Sequence, residues 1–302
     1  MAAHHHGHGH DHRRASTRAL LAVLALTTAY TLVEIVGGLL TESLALLADA
    51  GHMLSDNLSI VLALGAIWLA RRPSTPRRSF GYRRAEILAA FVNGLALVLV
   101  GVWIVIEAVR RLDDPPDVLG GWMLVVALGG LAVNLAAAWI LQRSGRETLN
   151  VEAAFRHVLA DLLGSVGVIV AALLVLVTGW EAADPVVSLV IAALIVWSAW
   201  GVLRDSTSIL MEATPSGIDA LALERSIAQM PGVTNVHDLH VWTITSGFDA
   251  LSAHVLVSRG DDCHARRREI EGMLAREFGI EHTTLQVDHA AEGGLVELAR
   301  FG

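Results

Sequence analysis

Lysine is absent, and all 22 basic side chains in the 302 residues are arginine. A phosphate-binding Gly-x-x-x-x-Gly-Lys-[Ser/Thr] loop therefore does not exist, which excludes a pump driven by ATP through such a loop. The single cysteine, Cys263, excludes both a disulfide within the chain and a thiolate-rich metal site. No His-Glu-x-x-His is present, so the helical metalloprotease signature is missing too. Charge is scarce: 17% of residues are Asp, Glu, Lys or Arg, against about 25% in soluble domains. The net charge of -8 says little about partners. No cleavable signal peptide is expected, because the polar start lacks a small-residue processing site before the first apolar run.

Apolar sequence fills the space that charge leaves. Hydrophobic residues make up 54% of the chain, and the mean hydropathy is +0.54. Six spans long enough to cross a bilayer are read at about Ala19–Leu40, Ser43–Ala70, Ala85–Val109, Leu119–Leu141, Glu152–Thr178 and Pro185–Leu203. Arginines crowd one side of them. Arg13, Arg14 and Arg18 precede the first span, Arg71, Arg72, Arg77, Arg78, Arg83 and Arg84 join the second to the third, and Arg143 and Arg146 follow the fourth. The other side has Arg110 and Arg111, offset by Asp113, Asp114 and Asp117. The positive-inside rule places both termini and the arginine-rich loops in the cytoplasm.

Charged groups inside such spans are costly and need a reason. In the second span, Leu47-Ala48-Asp49-Ala50-Gly51-His52-Met53-Leu54-Ser55-Asp56-Asn57 places His52 and Asp56 four residues apart, on one helix face. The same spacing returns in the fifth span as His157 and Asp161. A lone intramembrane histidine or aspartate is most simply a polar clasp between helices. Two unrelated clasps would not need the same residue types at the same spacing. Two imidazoles and two carboxylates can instead form a four-ligand tetrahedral site, which suits Zn2+. Lacking sulfur, such a site should hold the larger, softer Cd2+ less well, accept Co2+ as a secondary ion, and reject ions that prefer six or more oxygens. Asp49, one turn before His52, is either an outer partner of the site or a proton relay. Glu34, Glu86, Asn93, Glu107 and Asn134 read as hydrogen-bonding groups between helices or to trapped water. Gly51, Ser55, Ser59, Gly164 and Gly167 are expected to bring the second and fifth helices close together.

After about Arg204 apolar runs shorten and charge rises, marking a soluble domain. A helix opened by Ser216 and Asp219, strands at Val233–Thr245 and Phe248–Val257 around a Ser246-Gly247 turn, a helix over Asp261–Phe278 and a strand at Thr283–His289 predict a small α+β sandwich. His237, His240, His254, His264, His282, Asp288 and His289 make metal binding a serious reading there, although a structural histidine is the plain reading for each alone. At the start, His4, His5, His6, His8, His10 and His12 with Asp11 form a tract disordered by composition, which is either a metal-collecting tail or an expression tag.

Four motifs in this order resemble the cation diffusion facilitator (CDF) family: Ala48-Asp49-Ala50-Gly51-His52-Met53-Leu54-Ser55-Asp56, Phe80-Gly81-Tyr82-Arg83-Arg84-Ala85-Glu86, His157-Val158-Leu159-Ala160-Asp161 and His237-Asp238-Leu239-His240-Val241-Trp242. The likeness spans nearly the whole chain. It implies a homodimer of polytopic α-helical membrane protomers, each with six transmembrane helices and a ferredoxin-like cytoplasmic domain, that exports divalent metal in exchange for protons. It implies a cytoplasmic tail over 1–18, a membrane domain over 19–204, a metal-binding domain over 205–292 and a C-terminal tail over 293–302. By position, the transport ligands are His52, Asp56, His157 and Asp161. The cytoplasmic ligands fall on His237, His254 and Asp288, with His264 and His282 as further members, and Gln286 stands where some members have a histidine. Zn2+ is the expected substrate and regulatory ligand, with Co2+ or Cd2+ as further ions. The expected setting is a bacterial inner (cell) membrane, with lipid, protons and a second copy as partners, no nucleic acid and no enzymatic activity. The residue-level alternative is a membrane zinc sensor or structural zinc protein that does not transport, since a closed four-ligand site can be static.

Overall fold

The computed structural model describes residues 8–143 and 149–290. Eight α-helices and three strands are built from them: α1 (His8–Thr41), α2 (Leu44–Ala70), α3 (Ala85–Asp113), α4 (Gly120–Arg143), α5 (Leu149–Thr178), α6 (Ala183–Leu210), α7 (Ala220–Ala228), β1 (Val233–Thr245), β2 (Phe248–Val257), α8 (Cys263–Met273) and β3 (His282–His289). Six of the helices are long and apolar enough to cross a membrane. The chain is a membrane protein with a small α+β domain at its C-terminal end. Helix α1 is drawn from His8, well before the apolar run begins; residues 1–7 of the histidine tract lie outside the described residues.

The residues form two compact units: one holds the chain to Leu64 and Ala90–Leu203, the other holds Gly65–Ala89 and the chain from Arg204. In the first, Leu44, Ile104, Met123, Ala171, Ala172 and Ala192 are buried inside the bundle, while Leu40, Leu163, Val177 and Trp197 are largely exposed on its outside. An apolar exterior is what a helix bundle presents to lipid. Asp184, buried in the first turn of α6, sets the start of α2. It accepts hydrogen bonds from Ser43 Oγ at 2.6 Å, Leu44 N at 2.7 Å and Ala45 N at 3.2 Å. The two backbone N–H groups at this helix start lie in the first turn, where no intrahelical acceptor is available, and a carboxylate there also meets the positive end of the helix dipole.

Small residues bring the helices together, though not always the pair the sequence suggests. Gly164 of α5 faces Asp49 of α2, as expected for a close α2–α5 approach. Gly51 instead faces Val100 of α3, and Gly167 faces Val187 of α6. Ser55 and Ser59 bond to Asn93 of α3: Ser55 Oγ donates to Asn93 Oδ1 at 3.2 Å, and Asn93 Nδ2 donates to Ser59 Oγ at 2.5 Å. Periodicity fixes which residues share a face, but not which neighbour that face meets.

In the second unit, β1 and β2 form an antiparallel hairpin and β3 joins β2 in parallel. The Ser246-Gly247 connection closes the hairpin, with Gly247 at φ 71°, a left-handed conformation that glycine adopts without strain. Leu251, Ala253, Val255 and Val257 of β2 pack with Leu223 and Ile227 of α7 and Ile270 of α8 in one apolar core. The other sheet face carries polar side chains. The expected second helix breaks into α8 and a π-helical turn (Leu274–Phe278) ending at Gly279.

Candidate metal centre

Helix α2 carries His52 and Asp56 near its middle, and α5 carries His157 and Asp161. The four side chains converge. His157 Nε2 is 3.0 Å from Asp56 Oδ2 and 3.7 Å from Asp161 Oδ2, while His52 Nε2 is 3.6 Å from Asp56 Oδ2 and 3.7 Å from Asp161 Oδ1. The two rings lie 6.0 Å apart between centroids, tilted by 58°. A tetrahedron with arms of about 2.0 Å has edges of about 3.3 Å, close to these four His–Asp separations. Three of the residues, His52, Asp56 and Asp161, have donor atoms lying within 4.8 Å of one another. Asp161 is 7% exposed and its Oδ1 is buried with no hydrogen-bond partner among the described residues. A buried, unsatisfied carboxylate oxygen is expensive, and an ion satisfies it. His52 Nδ1 is also buried and unpartnered among the described residues.

Among the surrounding polar residues, Asn134 of α4 bonds between helices as the sequence suggests, donating to Ser165 Oγ of α5 at 3.2 Å. Glu107 instead pairs along its own helix with Arg111 at 3.0 Å, and Glu86 also departs from the expectation. Instead of a helix partner it takes the hydroxyls of the hairpin turn, accepting from Thr245 Oγ1 at 2.7 Å and Ser246 Oγ at 3.1 Å. Nearby, Arg84 pairs with Glu212 at 2.8 Å and Arg83 stacks on Phe248. No signal in either sequence segment predicts these contacts, whose hydrogen bonds alone join residues 128 to 160 positions apart.

The cytoplasmic histidines are arranged differently. His237 and His254 are direct cross-strand partners with ring centroids 5.2 Å apart. His254 pairs in turn with Gln286, and Asp288 lies two residues further along β3, on the same face. Gln286 donates to Asp288 Oδ2 at 2.8 Å. The structure brings these together along one row of the open face. It does not bring in His264, at the start of α8, whose backbone N–H is capped by Asp262 at 2.8 Å. Nor does it bring in His282, whose ring packs against Phe80 and Phe248 with centroids 6.0 and 5.4 Å apart. Asp238, at φ 54° in the bulge of β1, accepts from His240 Nε2 at 2.9 Å and lies 3.9 Å from His254. The His240 bond holds the Asp238 carboxyl below the usual carboxylate range.

Residues 20–211 match the family model for the cation efflux transmembrane domain, and residues 215–290 match that for the cation efflux protein cytoplasmic domain. The chain belongs to the cation efflux family. Among its curated relatives is a "Cadmium, cobalt and zinc/H(+)-K(+) antiporter" of Bacillus velezensis, 43% identical over 94% of this chain and 93% of that protein. "Zinc transporter ZitB" of Escherichia coli is 43% identical over 95% of this chain and 93% of its own length. "Metal cation efflux system protein CzcD" of Cupriavidus metallidurans is 41% identical over 94% of this chain and 90% of its own length. All three of these relatives are named as transport or efflux proteins, and this member of the family is likewise not an enzyme.

Proposed function

We propose that this chain exports Zn2+ from the cytoplasm in exchange for protons, through the site formed by His52, Asp56, His157 and Asp161. The carrying observation is that two histidines and two aspartates from two membrane helices meet, each histidine within 3.7 Å of both carboxylates. Two carboxylates and two neutral imidazoles neutralise a divalent cation. Protons compete for the same lone pairs, since every donor must be deprotonated to bind metal. A site that opens alternately to each side under that competition couples outward metal movement to inward proton movement. The antiporter name of the Bacillus relative and the zinc in the names of both the Bacillus and Escherichia proteins support this reading.

Zinc fits the donor set best and cobalt second, and the absence of sulfur weighs against cadmium. The arginine distribution supports both termini facing the cytoplasm of a bacterial inner membrane. The match to the cytoplasmic-domain family supports a homodimer. His237, His254 and Asp288 are the proposed regulatory zinc ligands on that domain. The test of transport is Zn2+ uptake into proteoliposomes with and without an imposed pH gradient. Uptake driven by the gradient is expected. Stoichiometric zinc binding without flux under either condition would identify a static sensor instead.

A further inference from the structure

Helices α2 and α4 end in the same way. Trp68 and Arg72 are four residues apart at the end of α2, and Trp139 and Arg143 are four apart at the end of α4. In both pairs the guanidinium lies over the indole, 4.5 Å from the ring centroid at Arg72 and 4.0 Å at Arg143. Both tryptophans are open to the outside of the protein, Trp68 at 62% and Trp139 at 53% exposure. With six crossings, the C-terminal ends of the second and fourth helices leave the bilayer on the same side. Indole rings in the last turn of a spanning helix sit at headgroup level, so each stack puts an arginine at the height of lipid phosphates.

A stacked guanidinium uses its face and leaves its in-plane N–H donors free, and their fork matches two phosphate oxygens. The connection from α2 to α3 adds to the field. It contains Arg71, Arg72, Arg77, Arg78, Arg83 and Arg84 and no acidic residue between Ala70 and Ala85. It is also folded, since Thr75 and Arg78 exchange backbone hydrogen bonds at 3.1 and 2.8 Å and Arg78 stacks on Tyr82 at 4.3 Å. Arg83 and Arg84 are held by Phe248 and Glu212, which leaves the first four arginines on the exposed side.

We propose that each Trp-x-x-x-Arg stack, the first together with the α2–α3 connection that continues from it, binds the phosphate headgroups of anionic lipid. The inference rests on the chain spanning a bilayer and not on its transport activity, so a protein that carries no metal would leave it standing.

The experiment follows thermal unfolding of the full chain in detergent with added phosphatidylglycerol, phosphatidylcholine or inorganic phosphate. Phosphatidylglycerol raises the unfolding temperature, while phosphatidylcholine and inorganic phosphate do not. A basic side chain at a membrane surface is worth about a fivefold change in affinity, so Arg72→Gln with Arg143→Gln, which takes one arginine from each stack, shifts half-saturation by phosphatidylglycerol about fivefold. Arg110→Gln, at the other end of α3, leaves it unchanged. Arg72→Lys with Arg143→Lys keeps the charge but loses the fork and the stack, and its half-saturation falls between wild type and the glutamine pair; it carries the test if the glutamine pair does not fold. A wild-type response in either double variant, or an equal shift from inorganic phosphate, overturns the proposal.

Discussion

The membrane unit and the cytoplasmic unit each hold histidines and carboxylates, and they treat them in opposite ways. In the membrane unit, side chains at a spacing of four residues on two helices converge until each histidine is 3.0 to 3.7 Å from both carboxylates. In the cytoplasmic unit, His237, His254, Gln286 and Asp288 spread along a row of a sheet. A helix repeats its face every turn, so two helices in contact focus two residues each onto one point. A sheet keeps neighbouring strands about 4.8 Å apart and holds its side chains roughly parallel. The first geometry can bring the donors for one ion together within a single chain. The second builds an open surface whose ligands gather about an ion only through rotamer changes or groups added from elsewhere.

The comparison breaks most visibly at Asp161. Asp161→Ala removes the most buried of the four proposed ligands, and zinc flux in proteoliposomes should fall by roughly 100-fold or more, beyond the 10- to 100-fold seen for the outer partners of metal ligands. Normal flux at matched protein density would dissolve the proposed site. His52→Asp sharpens the picture. It creates a third carboxylate and a looser oxygen-rich site, so paired flux measurements should show zinc transport retained and cadmium transport gained. If the unaltered chain already carries cadmium as fast as zinc, the selectivity argument fails while transport stands.

The open row should matter less. In the full chain, binding at the row at 100 times its dissociation constant stabilises the folded state by about 2.7 kcal/mol. Replacing His237, His254 and Asp288 together with alanine should remove most of the zinc-induced rise in unfolding temperature of the cytoplasmic unit, while lowering flux far less than Asp161→Ala. An undiminished rise would move the site away from this face.

The smallest effect is expected at Asp262, which caps α8. Its carboxylate is held below the usual range by the backbone N–H groups of Ala265 and His264. A depressed folded-state value means the charged cap stabilises the fold above the unfolded carboxylate range, and that this stability is lost as pH falls through the lower folded-state value. Asp262→Ala should therefore lower the unfolding temperature at neutral pH, with the gap to wild type closing in acid. A gap that stays constant down to strongly acidic pH would mean that the charge contributes nothing.

Local order carried much of this into the sequence. The bounds of β1 and β2 follow from alternation and from a two-residue turn, and the structure keeps them at Val233–Thr245 and Phe248–Val257. The pairing of His52 with Asp56, and of His157 with Asp161, follows from helical pitch alone. Partner choice across long separations was not legible. Nothing near Ser43 announces that its cap is Asp184, 141 positions away. Glu86 reads as an interhelical polar group because it opens an apolar helix, yet it serves two hydroxyls of a hairpin. Ser55 and Ser59 are small enough for a close α2–α5 approach, but their hydroxyls find Asn93 on α3. A polar side chain in an apolar span bonds to whichever complementary group packing delivers, and packing is a property of the whole bundle.

The compact unit around the sheet is assembled from two separated stretches of chain, residues 65–89 and the part from Arg204. A fragment starting near residue 204 loses Phe80 from the ring of His282, Arg83 from Phe248, Arg84 from Glu212 and Glu86 from the hairpin hydroxyls. Such a fragment opens those rings and hydroxyls to solvent, and its self-association and metal affinity are expected to differ from those of the full chain. For the same reason the soluble domain is not a portable cassette. Grafting it between relatives requires transplanting the connection between α2 and α3 as well, and a chimera that exchanges only the C-terminal stretch mismatches both sides of that seam.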